Sequence, residues 1–178
     1  MKLIEDNIVF SFISTALRAT SFKTVNSLYV SKFASQEDDN SFNNLMAVDF
    51  IFEGENEELI SINCGADGES LRLSLKPSSS YSMGEYGEVY LSPAKQYCAV
   101  EEVQVISYDK KVVCFVLRLS DQFVVSIVNS GDELYLEHRT PLIEEIMSEQ
   151  FNSEGMLRIV SCKIIDNSEG EIVTEEVI

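Results

Sequence analysis

The sequence predicts an α+β domain: a bent or barrel-like antiparallel sheet of meander hairpins with one or two packed helices. Three observations predict it. Short runs rich in Val, Ile, Phe and Tyr recur from residue 25 to the C-terminus, the pattern of half-buried strands. The connectors between them are short and carry turn chemistry, as at Asp67-Gly68, Asp109-Lys110 and Asn129-Ser130-Gly131-Asp132, which suits hairpins whose turns need positive φ. After Thr140-Pro141 the period changes from that of a strand to that of a helix.

The N-terminal segment comes first. Val9, Phe12, Ile13, Ala16 and Leu17 have helical spacing, so a helix from Asp6 to Arg18 is expected with Asp6 as its cap, although the β-branched and aromatic content of IVFSFIST also suits a strand. A first group of strands follows: LYVSKF (28–33), MAVDFIF (46–52), ELISINC (58–64), SLRLSLK (70–76) and GEVYL (87–91). In SLRLSLK, Leu71, Leu73 and Leu75 alternate with Ser70, Arg72, Ser74 and Lys76, so one face is buried and the other wet. PSSSYSMGEYG (77–87) reads as a loop, and Ser92-Pro93 as the start of a short turn. The second group is VEEVQVISY (100–108), KVVCFVLRL (111–119), QFVVSIV (122–128) and ELYLEHR (133–139). KVVCFVLRL and QFVVSIV are nearly continuous in apolar residues, which predicts central strands covered on both faces.

Thr140 is the expected N-cap of the main helix and Pro141 its first residue. Leu142, Ile143, Ile146, Met147 and Phe151 fall on one face, with Glu144, Glu145, Ser148 and Glu149 opposite. MLRIVSCKII (156–165) then reads as a last core strand and SEGEIVTEEVI as an edge strand or tail.

The chain has 178 residues, enough for one domain spanning 1–178 with a core that needs no disulfide or metal staple. A hydrophobic content of 45% is too high for a disordered acidic chain. No apolar run reaches the roughly 18 residues of a membrane helix, and Glu5 and Asp6 precede the first apolar stretch where a secretory signal would be basic, so a cytoplasmic, monomeric protein is the expectation. Cys64, Cys98, Cys114 and Cys162 are dispersed without a CxxC pair, which predicts buried thiols rather than a disulfide framework or a zinc site.

Charge is the most informative property. Thirty Asp and Glu stand against 13 Lys and Arg, a formal net charge of −17. Such a surface repels nucleic acid and suits a basic protein partner, whose encounter it would steer. The charge is also uneven: from Phe33 to Leu71 there is no Lys or Arg, while Glu37, Asp38, Asp39, Asp49, Glu53, Glu55, Glu57, Glu58, Asp67 and Glu69 are acidic. Ordinary soluble surfaces intersperse the two signs, so the loops bearing Glu37, Asp38, Asp39, Glu53, Glu55, Glu57 and Glu58 are the expected partner-binding residues. Tyr81 and Tyr86 join them, because Tyr is a favoured interface anchor. The blander alternative is two solvated hairpin tips. A second acidic group, Glu144, Glu145, Glu149, Glu154 and the carboxylates after Asp166, is the wet face of a helix and a terminal segment. Only Lys2, Arg18, Lys23 and Lys32 give the first 35 residues a mildly basic character.

No catalytic, metal or nucleotide motif is present, so no enzyme and no cofactor is expected. His138 is the single histidine, and Glu137-His138-Arg139 reads as a structural trio. DNSEGE does not fit a calcium loop, since Gly170 comes fifth from Asp166 where an EF-hand needs it sixth. In size, charge and β-rich layout the whole chain resembles the immunity proteins of bacterial toxin–immunity pairs, including those of contact-dependent growth inhibition. QEDDN, EGENEE and VVSIVNSGDELYLEHR carry the resemblance. It implies a protein that binds one cognate toxin domain, often a basic nuclease, and covers its active site or substrate groove. An acidic secretion chaperone for an effector protein and a small enzyme with an unrecognised carboxylate site are the alternatives.

Overall fold

A computed structural model describes residues 24–25, 27–31, 35–36, 45–47, 49–53, 58–77, 86–89, 98–131, 133–148, 155–163 and 171–177. The expected helix from Asp6 to Arg18 and the turn at Ser92-Pro93 lie outside these residues. The described chain is mostly antiparallel strand with one short helix. Its strands are β1 (Thr24–Val25), β2 (Ser27–Ser31), β3 (Ser35–Gln36), β4 (Leu45–Ala47), β5 (Asp49–Glu53), β6 (Glu58–Cys64), β7 (Leu71–Pro77), β8 (Tyr86–Val89), β9 (Cys98–Tyr108), β10 (Lys111–Leu119), β11 (Val124–Ser130), β12 (Glu133–Glu137), β13 (Leu157–Lys163) and β14 (Glu171–Val177). The helix, α1, is Ile143–Ser148.

These strands form two sheets. The nine-stranded sheet runs β14-β13-β9-β10-β11-β12-β4-β3, with β1 also paired to β9. The five-stranded sheet runs β7-β6-β5-β2-β8. The meander expected from the sequence is the run β9 to β12, where each strand pairs with the next. Its first turn is Asp109-Lys110, both at positive φ (45° and 69°), which joins the paired Tyr108 and Lys111 in two residues. That backbone twist matches the twist of the flanking strands. At the β11–β12 turn Gly131 takes φ 78°, and the Asn129 side chain closes it by accepting from the Gly131 N–H at 3.0 Å and donating to the Gly131 carbonyl at 3.2 Å.

The predicted strand 46–52 is two strands in two sheets. β4 pairs with β12 and β3, whereas β5 pairs with β2 and β6. The chain passes from one sheet to the other between Ala47 and Asp49. A strand that changes sheets makes a corner.

Directly opposed residues share a face. On one face of the large sheet Val105, Phe115, Ile127 and Leu136 align across four strands, and Val103, Leu117 and Val125 across three; all are buried. The other face holds Ile106, Tyr108, Cys114, Val116 and Leu157, with Ile146 of α1 packed on them and Ile143 partly so. β10 is therefore covered on both faces, as its apolar run predicts. A bulge contributes: Val112 pairs with Ser107 and Cys114 with Ile106, so Val113 is an extra residue. Successive Val113 and Cys114 both enter the helix-side cluster.

α1 begins later than Thr140-Pro141 suggests. Its first turn closes on the Leu142 carbonyl, which accepts from Glu145 N at 3.0 Å and Ile146 N at 3.2 Å. Thr140 accepts instead from the Arg118 guanidinium at 3.2 Å, so the residue best suited to cap the helix is engaged by the sheet. Leu142 is left 57% exposed and does not join the buried face that its spacing suggests.

Candidate functional site

Of the expected contact residues, Glu37, Asp38, Asp39, Glu55, Glu57 and Tyr81 lie outside the described residues. Glu53 closes β5 and Glu58 opens β6. Glu53 stands opposite Leu59 and Ser27, and Glu58 opposite Pro77, so the two glutamates flank one hairpin at one end of the five-stranded sheet. Tyr86 opens β8 opposite Ser31. Four residues of β2 separate Ser31 from Ser27, about 13 Å of strand, so Tyr86 belongs to the other end of that sheet.

That other end meets the nine-stranded sheet. The Cys64 thiol donates to the Gly131 carbonyl at 3.5 Å and Asn129 Nδ2 donates to the Cys64 sulfur at 3.6 Å. The β6–β7 loop, Gly65 to Ser70, is built on one carboxylate. Asp67 Oδ1 accepts from Glu69 N (3.2 Å), Ser70 N (3.2 Å) and the Ser70 hydroxyl (2.8 Å). The Ser70 hydroxyl bond first, opposed by burial and reinforced by the two backbone bonds and the Lys111 charge, holds the Asp67 carboxyl below the usual range. Gly65 closes the loop, its N–H donating to Ser70 O at 2.7 Å, and a Cβ there would lie 2.4 Å from the Ser70 hydroxyl. Lys111, at the start of β10, pairs with Glu69 and sits 3.9 Å from Asp67 Oδ2. Its ammonium is raised above the ordinary lysine range, first by the Glu69 hydrogen bond. Two acids of the cation-free run are thereby matched by a lysine about forty positions away.

The second acidic group is also partly structural. Glu145 Oε2 accepts from the Leu142 N–H at 3.1 Å and pairs with Arg139 at 2.8 Å. The backbone bond first, then Arg139, hold its carboxyl low. Arg139 also reaches Glu137 at 3.4 Å, and its raised guanidinium follows mainly from the Glu145 bond. Glu137 behaves oppositely: burial pushes its carboxyl up, Arg139 opposes this, and Glu145 adds to it. Ser126, fully buried, fixes the segment by donating to the Arg139 carbonyl at 2.8 Å. On the same face Arg118 pairs with Glu102 at 3.4 Å. The sequence reading missed this network, yet one local signal pointed to it: Glu145 lies three residues after Leu142, the spacing at which a glutamate returns to a cap N–H.

Chemistry at these groups is limited. Cys114 and Cys162 are buried and Cys64 half-buried. Burial, with some help from the Glu137 charge, pushes the Cys114 thiol far above its ordinary range, which leaves no thiolate to act as a nucleophile. Among the described residues no three His, Cys, Asp or Glu side chains cluster as metal ligands, and no helix is long and apolar enough to cross a membrane. No protein-family model, curated protein or solved structure matches the chain.

Proposed function

We propose that this chain is an α+β binding protein of the cytoplasm that neutralises a basic, nuclease-like toxin domain by covering its active site or substrate groove. The observation that carries this reading is the run from Phe33 to Leu71, which holds ten acids and no Lys or Arg. The acids nearest the sheet junction already have Lys111, and Glu137 and Glu145 share Arg139. The carboxylates of the β5–β6 hairpin are the ones assigned to the partner. They would occupy the place of substrate phosphates on a cationic groove, and desolvated apolar contact around them would supply the affinity.

The test is affinity capture from the native host with the wild-type chain and with a Glu55→Lys, Glu57→Lys, Glu58→Lys variant. Capture of one basic protein whose nuclease activity the wild-type chain blocks, with both effects lost in the variant, is the expected result. Capture of an extended effector without inhibition favours the secretion-chaperone reading. Equal capture by the variant overturns the assignment of the surface.

A further inference from the structure

α1 hangs from a segment that the sheet holds firmly. Fully buried Ser126 donates to the Arg139 carbonyl at 2.8 Å, and the Arg118 guanidinium donates to the Thr140 hydroxyl at 3.2 Å. Pro141 and Leu142 then lead into the helix, and Leu142 is exposed.

Beyond that point the attachment changes character. Among the described residues, α1 is tied to the sheet side by buried Ile146, partly buried Ile143 and the Arg139–Glu145 pair at 2.8 Å. Both side chains of the pair are about half exposed, at 49% and 47%, where ion pairs contribute little. What α1 packs on is sealed: Ile106, Tyr108, Cys114, Val116 and Leu157, with Cys114 and Val116 at 0% exposure. A buried apolar face is thus covered by an element with few anchors, the kind of element that opens locally before the fold as a whole.

We propose that α1 is a hinged flap: it swings at Pro141–Leu142 while the sheet stays folded, uncovering the Cys114 face, with the Arg139–Glu145 pair as its latch. Glu145 travels with the helix, whereas Ser126 keeps Arg139 on the sheet, so opening breaks this pair and closing remakes it. Glu137 stays beside Arg139 at 3.4 Å and retains the guanidinium when Glu145 leaves, which lowers the cost of opening. The flap does not depend on the partner proposed above.

The test is thiol labelling of the full chain with N-ethylmaleimide in rising urea below the unfolding midpoint, resolved by peptide mass spectrometry. Cys162 stands opposite Val103, on the other face of the sheet, and reports openings that do not involve α1. Cys114 labelling should be nearly independent of urea, because a flap exposes little surface, whereas global unfolding depends on urea steeply. Glu145→Gln and Arg139→Gln should each speed Cys114 labelling about threefold, the scale of an exposed ion pair, with Cys162 unchanged. Glu137→Gln, which leaves the latch whole, should not speed it. Ile146→Ala, which removes the buried anchor, should speed it at least about tenfold. Cys114 labelling that follows the urea dependence of global unfolding, that accelerates together with Cys162, or that ignores both latch variants would each overturn the flap.

Discussion

At the residue scale, two side chains set the tolerance of the large sheet. Gly155 lies against the buried Tyr108 ring so closely that a Cβ would fall 1.8 Å from Tyr108 Cζ. Gly155→Ala should therefore destabilise the protein by about 1–3 kcal/mol through overpacking, read as a lower urea midpoint, and the loss should shrink when Tyr108 is also Ala. A midpoint unchanged by Gly155→Ala would mean that the ring moves aside freely. Glu137 tests how burial and pairing balance. Its raised carboxyl means that the fold disfavours the charged form, a cost present in full above its folded pKa and removed as pH falls below its unfolded value, near about 4. Arg139 keeps Glu145 when Glu137 is neutralised. Glu137→Gln should thus be at least as stable as wild type at pH 7, with the advantage vanishing toward pH 4 in thermal melts. A variant less stable at pH 7 would show that the Arg139 contact outweighs burial. Asp67 and Glu145, held low, act in the opposite sense: their stabilisation is present above the ordinary carboxylate pKa and is lost as pH falls through their folded values.

At the element scale, the β6–β7 loop shows how a connection is held from within and from outside. Three hydrogen bonds converge on Asp67, whereas the Lys111 pair is a solvent-exposed clasp. Exposed ion pairs contribute little. Asp67→Ala should cost about 1 kcal/mol and Lys111→Ala less, with hydrogen exchange of the Gly65 and Ser70 amides rising in the first variant only. The reverse order would make the clasp, not the loop, the stabilising element. Much of this level is legible in sequence. ELISINC and KVVCFVLRL coincide with β6 and β10, because short apolar runs bounded by turn residues report local burial. The break between Ala47 and Asp49 is not legible, since residues on both sides of a corner are apolar and only the identity of the paired strand distinguishes them. Thr140 departs from its expected role for a similar reason: its suitability as a cap is local, but its bond to Arg118 spans 22 positions. The Lys111 match to Glu69 is hidden in the same way, so a run without cations in sequence overstates the field it creates in space.

At the scale of the whole molecule, net charge and its placement make different predictions. A charge of −17 by itself would accelerate encounter with any basic partner, and reversing any equal number of carboxylates would slow it equally. A local site would respond only to its own residues. Two variants of equal net charge separate these cases: Glu55→Lys, Glu57→Lys, Glu58→Lys at the remote hairpin, and Glu101→Lys, Glu133→Lys, Glu144→Lys on the large sheet and α1. Glu145 is left intact because it holds Leu142 and Arg139. Glu101, Glu133 and Glu144 are exposed, so the control variant should keep the wild-type melting temperature within a few degrees, at about 0.5 kcal/mol per substitution, and a thermal melt checks the hairpin variant in the same way. Stopped-flow association with the captured basic partner should fall about tenfold for wild type between low and physiological salt, the range over which steering is screened. The hairpin variant should lose most of that salt dependence and dissociate faster, while the control variant slows only modestly. Equal slowing in both would assign the effect to net charge alone, and a stronger effect in the control would move the partner surface to the β12–α1 side.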